Sequence, residues 1–183
     1  MRIGIDMDSV VTDTLSAVQK VNPKWSGESW DGGCTPAEYN ATWEAVGKVE
    51  NFWSTLDPMP TCDAMTITLL KLAIQYHDVW FVTNRFETPG TSPMKQTKYW
   101  LYTNFLIHSP NVLIAKDKGP AASVLQLDAF LDDRPKNCTD VLAARPTARV
   151  YLCDSSHNKT FNDPRIPRVK DLKEFLKLIL EAN

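Results

Sequence analysis

Short apolar runs recur along the chain, and amphipathic segments separate them. Five of these runs have the length and composition of buried strands: 2–6, 78–84, 111–116, 128–133 and 148–154. Helical periodicity predicts helices between them, over 62–76, 93–107, 120–127 and 136–144. A closing amphipathic helix is predicted from an apolar face formed by Leu172, Phe175, Leu176, Ile179 and Leu180.

Strands that alternate with helices predict an α/β fold, a doubly wound parallel sheet with helices on both faces. Residues 15–60 interrupt the alternation with short helical pieces that are rich in tryptophan and are separated by glycines and prolines. We interpret them as a small, mainly helical cap inserted after the first strand. The core would then comprise residues 1–14 and 61–183.

Composition excludes several classes of function. The chain has 183 residues and a formal net charge of −2, which gives no general attraction to nucleic-acid polymers or to anionic membranes. The N-terminal apolar run is too short and too acidic for a secretory signal, and no later segment is long enough to span a bilayer. The four cysteines form no CxxC pair, and the three histidines have no zinc-site spacing relative to them. We therefore expect reduced thiols and a cytoplasmic protein.

Polar side chains follow four of the predicted strands, where ligands bind in doubly wound sheets. Asp6 and Asp8 follow the first strand, Thr83 and Asn84 end the second, Lys116 and Lys118 follow the third, and Asp132 and Asp133 end the fourth. Two neighbouring carboxylates at low dielectric are unfavourable unless a cation or a proton compensates their charge. A site that contains a cation is therefore predicted at this edge of the sheet.

This set resembles the four motifs of the haloacid dehalogenase superfamily of phosphotransferases. The matching segments, in chain order, are "DMDSV" (6–10), "VWFVTN" (79–84), "KDKGPAA" (116–122) and "AFLDDRP" (129–135). The resemblance covers nearly the whole chain outside the proposed cap. Because an aspartate stands two positions after Asp6, phosphatase or phosphotransferase chemistry is favoured over carbon–halogen cleavage.

The resemblance implies a role for each residue. Asp6 would be the nucleophile that forms an aspartyl-phosphate, and Asp8 the general acid and base. Mg²⁺ would bind Asp6, the main-chain carbonyl of Asp8, and Asp133 or Asp132. Thr83, the amide of Asn84 and a lysine would hold the other phosphoryl oxygens. Lys118 is preferred to Lys116 as that lysine, since it directly precedes a predicted helix start.

Two further segments resemble the 5′(3′)-deoxyribonucleotidases: "NFWSTLDPMPTCDAM" (51–65) and "MKQTKYWLYTNF" (94–105). In those enzymes cap aromatics form the nucleobase pocket, which implies Phe52 and Trp53 here; packing of the cap against the core is the alternative role. The other cap tryptophans, Trp25, Trp30 and Trp43, are interpreted as cap interior, and Lys95 and Lys98 as an exposed helix face. Arg85 departs from the relatives, and its role, binding phosphate or neutralising the acidic site, stays open.

We therefore expect a Mg²⁺-dependent phosphomonoesterase that acts on nucleoside monophosphates, deoxynucleotides in particular, with homodimerisation an open question. One alternative is a phosphatase with the same mechanism that acts on another small phosphomonoester or on a nucleic-acid 3′ phosphate. The other is a non-catalytic nucleotide-binding module. The presence of both Asp6 and Asp8 disfavours the module, because binding alone needs neither a nucleophile nor an acid.

Overall fold

The computed structural model describes residues 1–25 and 34–181. Six strands lie within these ranges: β1 (Arg2–Ile5), β2 (Asp78–Thr83), β3 (Asn111–Ile114), β4 (Ala129–Asp132), β5 (Arg149–Cys153) and β6 (Arg168–Val169). The described helices are α1 (Thr14–Val21), α2 (Pro36–Val46), α3 (Ala64–Tyr76), α4 (Pro93–Phe105), α5 (Lys118–Leu125), α6 (Pro135–Ala144) and α7 (Leu172–Glu181). Two 3-10 turns cover Phe52–Ser54 and Ser156–Asn158.

The strands form one parallel sheet in the order β3-β2-β1-β4-β5-β6, which confirms the predicted doubly wound α/β fold. The order reverses at β1, which pairs with β2 on one side and with β4 on the other. Ile5 at the end of β1 is opposite Phe81 and Leu131. The loop after β1 therefore lies between the ends of β2 and β4, at the switch point where ligands bind in such sheets.

Both faces of the sheet are covered by apolar helix faces. One hydrophobic cluster joins the sheet to α3, α4 and α7, and a second joins it to α5 and α6. Ile3, Ile5, Phe81, Phe130 and Leu131 are all 0% exposed. Such complete burial explains why the strands appear as continuous apolar runs in the sequence and not as alternating patterns.

The segment 15–60 contains α1, α2 and the turn Phe52–Ser54, as expected for a mainly helical insertion. Thr35 and Glu38 form a capping box that begins α2, with Pro36 at the first helical position. Thr12 forms an antiparallel bridge with Pro58, so the two ends of the segment are adjacent. That closure fits an inserted cap, and the division into cap and core stays a proposal. Trp30 lies outside the described residues.

The bounds of the predicted strands and helices differ from the observed ones by up to two residues, and one short strand was not predicted. Helix α5 begins at Lys118, two residues before its predicted start, and β6 was not predicted because it has only two residues.

No helix within the described ranges has the length and hydrophobicity needed to cross a bilayer. All four cysteines are free thiols in the structure.

Candidate active site

A tight loop after β1 brings Asp6 and Asp8 to the same edge of the sheet. The main-chain carbonyl of Met7 accepts hydrogen bonds from the amides of Val11 and Thr12, both at 2.8 Å. Ser9 makes the turn with a φ of 64°, in the left-handed region that non-glycine residues rarely adopt. The loop thus reverses the chain immediately after the second carboxylate.

Lys118 contacts Asp6 directly. Its ammonium lies 2.7 Å from Asp6 Oδ1 and also donates to the carbonyl of Val82 at the end of β2. Lys118 is 2% exposed and Asp6 is 6% exposed, so the ion pair is buried. Lys116 is exposed and is one of the residues that line the cavity described below. Of the two candidate lysines, the one preferred from the sequence is the one in contact with Asp6.

Asp6, Asp132 and Asp133 form a compact acidic cluster. One carboxylate oxygen from each lies within 4.8 Å of the others, and all three residues are buried. Asp132 is fixed by the Arg134 amide at 2.8 Å and by the Asn137 side-chain amide at 3.0 Å. The structure therefore brings together three of the side chains named as metal ligands, from two strand ends that are distant in sequence.

The acidic cluster is electrostatically unfavourable without a counter-charge. Burial, followed by repulsion from Asp6, raises the pKa of Asp132 to about 7. Burial, followed by repulsion from Asp132, also raises the pKa of Asp133. Burial raises the pKa of Asp6 despite the opposing effect of Lys118.

The donor set fits a hard divalent cation. Three carboxylates at this spacing offer the oxygen ligands that Mg²⁺ prefers. Asp133 Oδ2 is buried and accepts no hydrogen bond within the described chain, although His157 Nε2 lies 3.3 Å away. That ring nitrogen is better aligned on the Asp133 carbonyl, at 3.1 Å. A bound cation would satisfy the remaining carboxylate oxygen.

The Asp8 carboxylate does not belong to the acidic cluster and is held by its own set of donors. Oδ1 accepts from the Thr14 hydroxyl and from Arg85 Nη2, both at 2.8 Å, and Oδ2 accepts from the Thr83 hydroxyl at 2.8 Å. Burial raises the pKa of Asp8, but the Arg85 guanidinium and these hydrogen bonds outweigh burial and bring the pKa below its usual value. Thus only the main-chain carbonyl of Asp8, not its side chain, stays a candidate metal ligand.

A cavity of about 240 Å³ opens beside the two N-terminal aspartates. Its lining has a polar part and an aromatic part. The polar part comprises Asp6, Asp8, Thr14, Asn84, Lys116, Lys118, Asp133, Arg134 and Asn137. The aromatic part, called the aromatic wall below, consists of Tyr39, Trp43, Trp53 and Phe86. Asn84, predicted from the second motif, is exposed and faces this cavity, whereas Thr83 is buried behind it against Asp8.

The two aromatic residues implied as a nucleobase pocket are not equivalent. Phe52 is 1% exposed and is not among the described residues that line the cavity, because its ring packs against Trp53 at a centroid distance of 5.0 Å. Trp53 reaches the cavity wall but is 2% exposed and donates from Nε1 to the Phe86 carbonyl at 2.8 Å. The structure therefore does not bring Phe52 to the site and leaves Trp53 little accessible surface.

Other aromatic residues have more accessible surface in the cavity. Trp43 is half-buried and lines the wall, whereas Trp25 is buried as cap interior at 4% exposure. Phe86 is 40% exposed and meets Trp43 edge to face at 5.8 Å. Tyr39, one turn before Trp43 on α2, completes this surface. Lys95 and Lys98 are exposed on α4, as expected.

Several residues of the site had no role in the sequence analysis. Thr14 begins α1, Asn137 lies in the first turn of α6, and His157 lies in a 3-10 turn after β5. A helix start directly after the first and fourth motifs was the available signal for Thr14 and Asn137. For His157 the sequence offers no comparable signal, since it is brought to Asp133 by the path of the loop.

Solved structures share this fold at low sequence identity. The D,D-heptose 1,7-bisphosphate phosphatase from Burkholderia thailandensis is 11% identical with a TM-score of 0.59, over 98% of this chain and 97% of that chain. The corresponding phosphatase from B. bronchiseptica, complexed with magnesium and phosphate, is 12% identical with a TM-score of 0.56, over 100% and 99%. A 2-haloacid dehalogenase from Pseudomonas syringae pv. Tomato DC3000 is 12% identical with a TM-score of 0.54, over 100% and 99%. The fold is that of the haloacid dehalogenase superfamily.

One family matches the whole chain. Over residues 1–183 the chain matches the family described as 5′ nucleotidase, deoxy (pyrimidine), cytosolic type C protein (NT5C), and it belongs to that family. Within the superfamily the chain is therefore a phosphoric monoester hydrolase. No curated protein matches the chain in sequence. The family match confirms the resemblance to nucleotidases and to the wider superfamily that the four motifs indicated.

Proposed function

We propose that this phosphatase hydrolyses nucleoside monophosphates, with a preference for deoxynucleotides, through an aspartyl-phosphate on Asp6 and with the help of Mg²⁺. One observation carries the proposal. Asp6 pairs with the Lys118 ammonium, belongs to one acidic cluster with Asp132 and Asp133, and lines a cavity that Asp8 also lines. This arrangement supports Asp6 as the nucleophile, Asp8 as the proton donor and the acidic cluster as the cation site, beside a space that can hold a small substrate.

In the first step, a carboxylate oxygen of Asp6 forms a bond to the substrate phosphorus while the bond from phosphorus to the ester oxygen breaks. The substrate phosphate dianion next to Asp8 favours the protonated form of this carboxyl in the complex. Asp8 gives that proton to the leaving oxygen, so that an alcohol and not an alkoxide departs. In the second step, Asp8 takes a proton from a water molecule that attacks the phosphorus, and the bond to Asp6 breaks. Inorganic phosphate leaves and both aspartates return to their starting state.

The side chains of Asp6, Asp132 and Asp133, with the main-chain carbonyl of Asp8, would hold the magnesium ion. When bound, the ion neutralises part of the charge of the carboxylates and of the phosphoryl group. Lys118 and the main-chain amide of Asn84 would bind the remaining phosphoryl oxygens. Thr83 would act indirectly, by donating a 2.8 Å hydrogen bond that holds the Asp8 carboxylate.

The aromatic wall supports a nucleoside as the leaving group. Tyr39, Trp43 and Phe86 line the same cavity as Asp6 and Asp8, so a base attached to the reacting phosphate has aromatic side chains within the same space. A base that stacks on one aromatic face gains about 1–3 kcal/mol. The segment 15–60 would act as a cap that carries two of these residues and excludes water. The name of the family agrees with a deoxynucleotide substrate.

Phosphate release from a panel of monoesters tests this proposal. The panel contains ribo- and deoxyribonucleoside 5′ and 3′ monophosphates, a sugar phosphate and an oligonucleotide 3′ phosphate, each assayed with Mg²⁺ and with EDTA. The expected result is release that depends on Mg²⁺ and is fastest with a deoxynucleoside monophosphate. Fastest phosphate release from the sugar phosphate or the oligonucleotide would overturn the proposed nucleotide substrate. Equal release with Mg²⁺ and with EDTA would overturn the proposed metal requirement. Asp57→Asn, at an exposed ion pair with Lys20, provides a control for changes in surface charge.

A further inference from the structure

Arg85 is a buried cation next to the proposed proton donor. The residue is 3% exposed, and its Nη2 lies 2.8 Å from Asp8 Oδ1. Its Nε lies 3.5 Å from the other carboxylate oxygen, Oδ2. The guanidinium thus lies along both oxygens of one carboxylate, in the paired geometry that fixes an acid most firmly.

The Arg85 side chain is itself held from two further sides. Its guanidinium carbon lies 5.0 Å from the centroid of the Trp53 ring, within range of a cation–π interaction. Its Nη1 donates to the Thr97 hydroxyl on α4 at 2.9 Å, and that hydroxyl donates to the Pro93 carbonyl at 2.7 Å. Trp53 is fixed in turn by a hydrogen bond from its main-chain amide to Gln96 at 2.9 Å. The guanidinium therefore has little freedom to turn.

These contacts account for the donor directions of the guanidinium. Nη1 donates to Thr97, Nη2 donates to Asp8 Oδ1 and, at 3.3 Å, to the Thr12 hydroxyl, and Nε is directed at Asp8 Oδ2. Arg85 is not among the described residues that line the cavity. A substrate phosphate in the cavity would meet Lys118, Asn84 and Arg134 before it met Arg85. The geometry does not favour direct binding of phosphate, which was one of the two roles left open from the sequence.

We infer that Arg85 is a positioning residue for proton transfer: held by Trp53 and Thr97, it keeps the Asp8 carboxyl directed at the leaving oxygen. This inference rests on the proposed function, because it requires Asp8 to be the proton donor. The role is indirect, so Arg85 contacts neither the substrate nor the phosphorus. Trp53 then acts mainly as a support for Arg85, not as a platform for a base.

The dependence of rate on the leaving group separates this role from a structural one. A nucleoside alkoxide must be protonated as it leaves, whereas p-nitrophenolate leaves readily without a proton. The constant kcat/KM reports the steps up to departure of the leaving group. A loss of proton donation by Asp8 should therefore lower kcat/KM for the nucleotide more than kcat/KM for p-nitrophenyl phosphate. Arg85→Met should lower kcat/KM for a deoxynucleoside monophosphate on the order of 10²-fold, the cost of misplacing a catalytic group. For p-nitrophenyl phosphate the loss should stay below about threefold.

Comparing kcat/KM for the two esters in an Asp8→Asn background tests whether Arg85 acts through its contact with Asp8. Asp8→Asn alone should show the selective loss on the nucleotide, and adding Arg85→Met should then change the ratio of the two kcat/KM values no further. If Asp8→Asn is selective and Arg85→Met lowers both esters equally, the positioning role is overturned while the proposed function stands. If Asp8→Asn itself lowers both esters equally, Asp8 is not the proton donor and both proposals fail.

A second variant guards against misfolding of Arg85→Met. Thr97→Val preserves the shape of the side chain and leaves Arg85 in place, but it removes the acceptor for Nη1. It should produce a smaller loss, about threefold to tenfold, with the same selectivity for the nucleotide. An equal loss on both esters would overturn the inference here as well. Arg165→Met is the matched control, because Arg165 pairs with Asp163 at the surface with a side chain that is 70% exposed; it should change neither ester.

Discussion

Lys118 and Asp6 are 112 positions apart in the sequence and form a buried ion pair of 2.7 Å. The sheet order explains the contact, since α5 follows β3 and returns across the switch point next to the end of β1. The Val82 carbonyl of β2 holds the same ammonium. The proposed nucleophile therefore has a cationic neighbour before any metal binds, and Asp132 and Asp133 lie close to it as well.

The pKa of Asp132 leads to a prediction about stability and pH. In the folded, metal-free protein, burial followed by repulsion from Asp6 raises this pKa from 3.8 to about 7. Between these values the unfolded chain has lost the proton that the folded chain keeps, so the free energy of unfolding falls as pH rises. We expect the Tm in EDTA to decrease from pH 5 to pH 8, and Mg²⁺ to raise it most at pH 8.

Asp132→Asn provides the control for that experiment. It removes the titrating group, so the Tm of the variant in EDTA should exceed that of the wild type by an amount that grows with pH. The comparison also removes the contribution of His77, whose pKa is lowered mainly by burial and which acts in the opposite direction. If the difference in Tm between Asp132→Asn and the wild type is the same at pH 5 and pH 8, ionisation of the acidic cluster does not destabilise the folded protein, and the prediction is wrong.

Ser9 gives a prediction about backbone strain. Its φ of 64° lies in the left-handed region, and its hydroxyl is buried with no hydrogen-bond partner within the described chain. Ser9→Gly should raise the free energy of unfolding by about 1 kcal/mol, because glycine adopts this conformation without the steric cost of a Cβ atom. Urea unfolding measures the change. Ser9→Ala removes the hydroxyl but keeps Cβ, so it should gain less; an equal gain would assign the effect to the hydroxyl.

The aromatic wall gives a prediction about substrate recognition. Trp43→Leu keeps an apolar side chain but removes the stacking surface opposite Phe86. We expect kcat/KM for a deoxynucleoside monophosphate to fall by about 5- to 150-fold, corresponding to about 1–3 kcal/mol of stacking, and kcat/KM for ribose 5-phosphate to stay unchanged. Tyr99→Ala, at a 60% exposed aromatic on α4, is the control and should affect neither ester. An equal loss on both substrates would contradict base contact by Trp43.

The strands and their polar ends could be predicted because both depend on local sequence. Completely buried parallel strands are continuous apolar runs, and a carboxylate directly after such a run must lie at the sheet edge. Asp6 and Asp132 are examples, and the parallel pairing of β1 with β4 then brings them together. Lys118 was preferred for a similar reason, since a helix start fixes its place relative to the strand before it.

The composition of the cavity wall could not be predicted in the same way. Phe52 and Trp53 are adjacent in sequence, yet only the second reaches the wall, because the 3-10 turn directs their side chains differently. Trp43 and Phe86 are 43 positions apart and meet only because α2 packs over the loop after β2. Which aromatic residues are accessible is therefore decided by the packing of several segments, and a single sequence contains no pattern that reports it.

The covalent intermediate is the most direct test of the central claim. The enzyme is mixed with Mg²⁺ and a deoxynucleoside monophosphate carrying a labelled phosphate, quenched in acid during turnover, and digested into peptides. The account predicts label on the peptide that contains Asp6, and neither label nor turnover in Asp6→Asn. Label on another residue, or full turnover by Asp6→Asn, would contradict it.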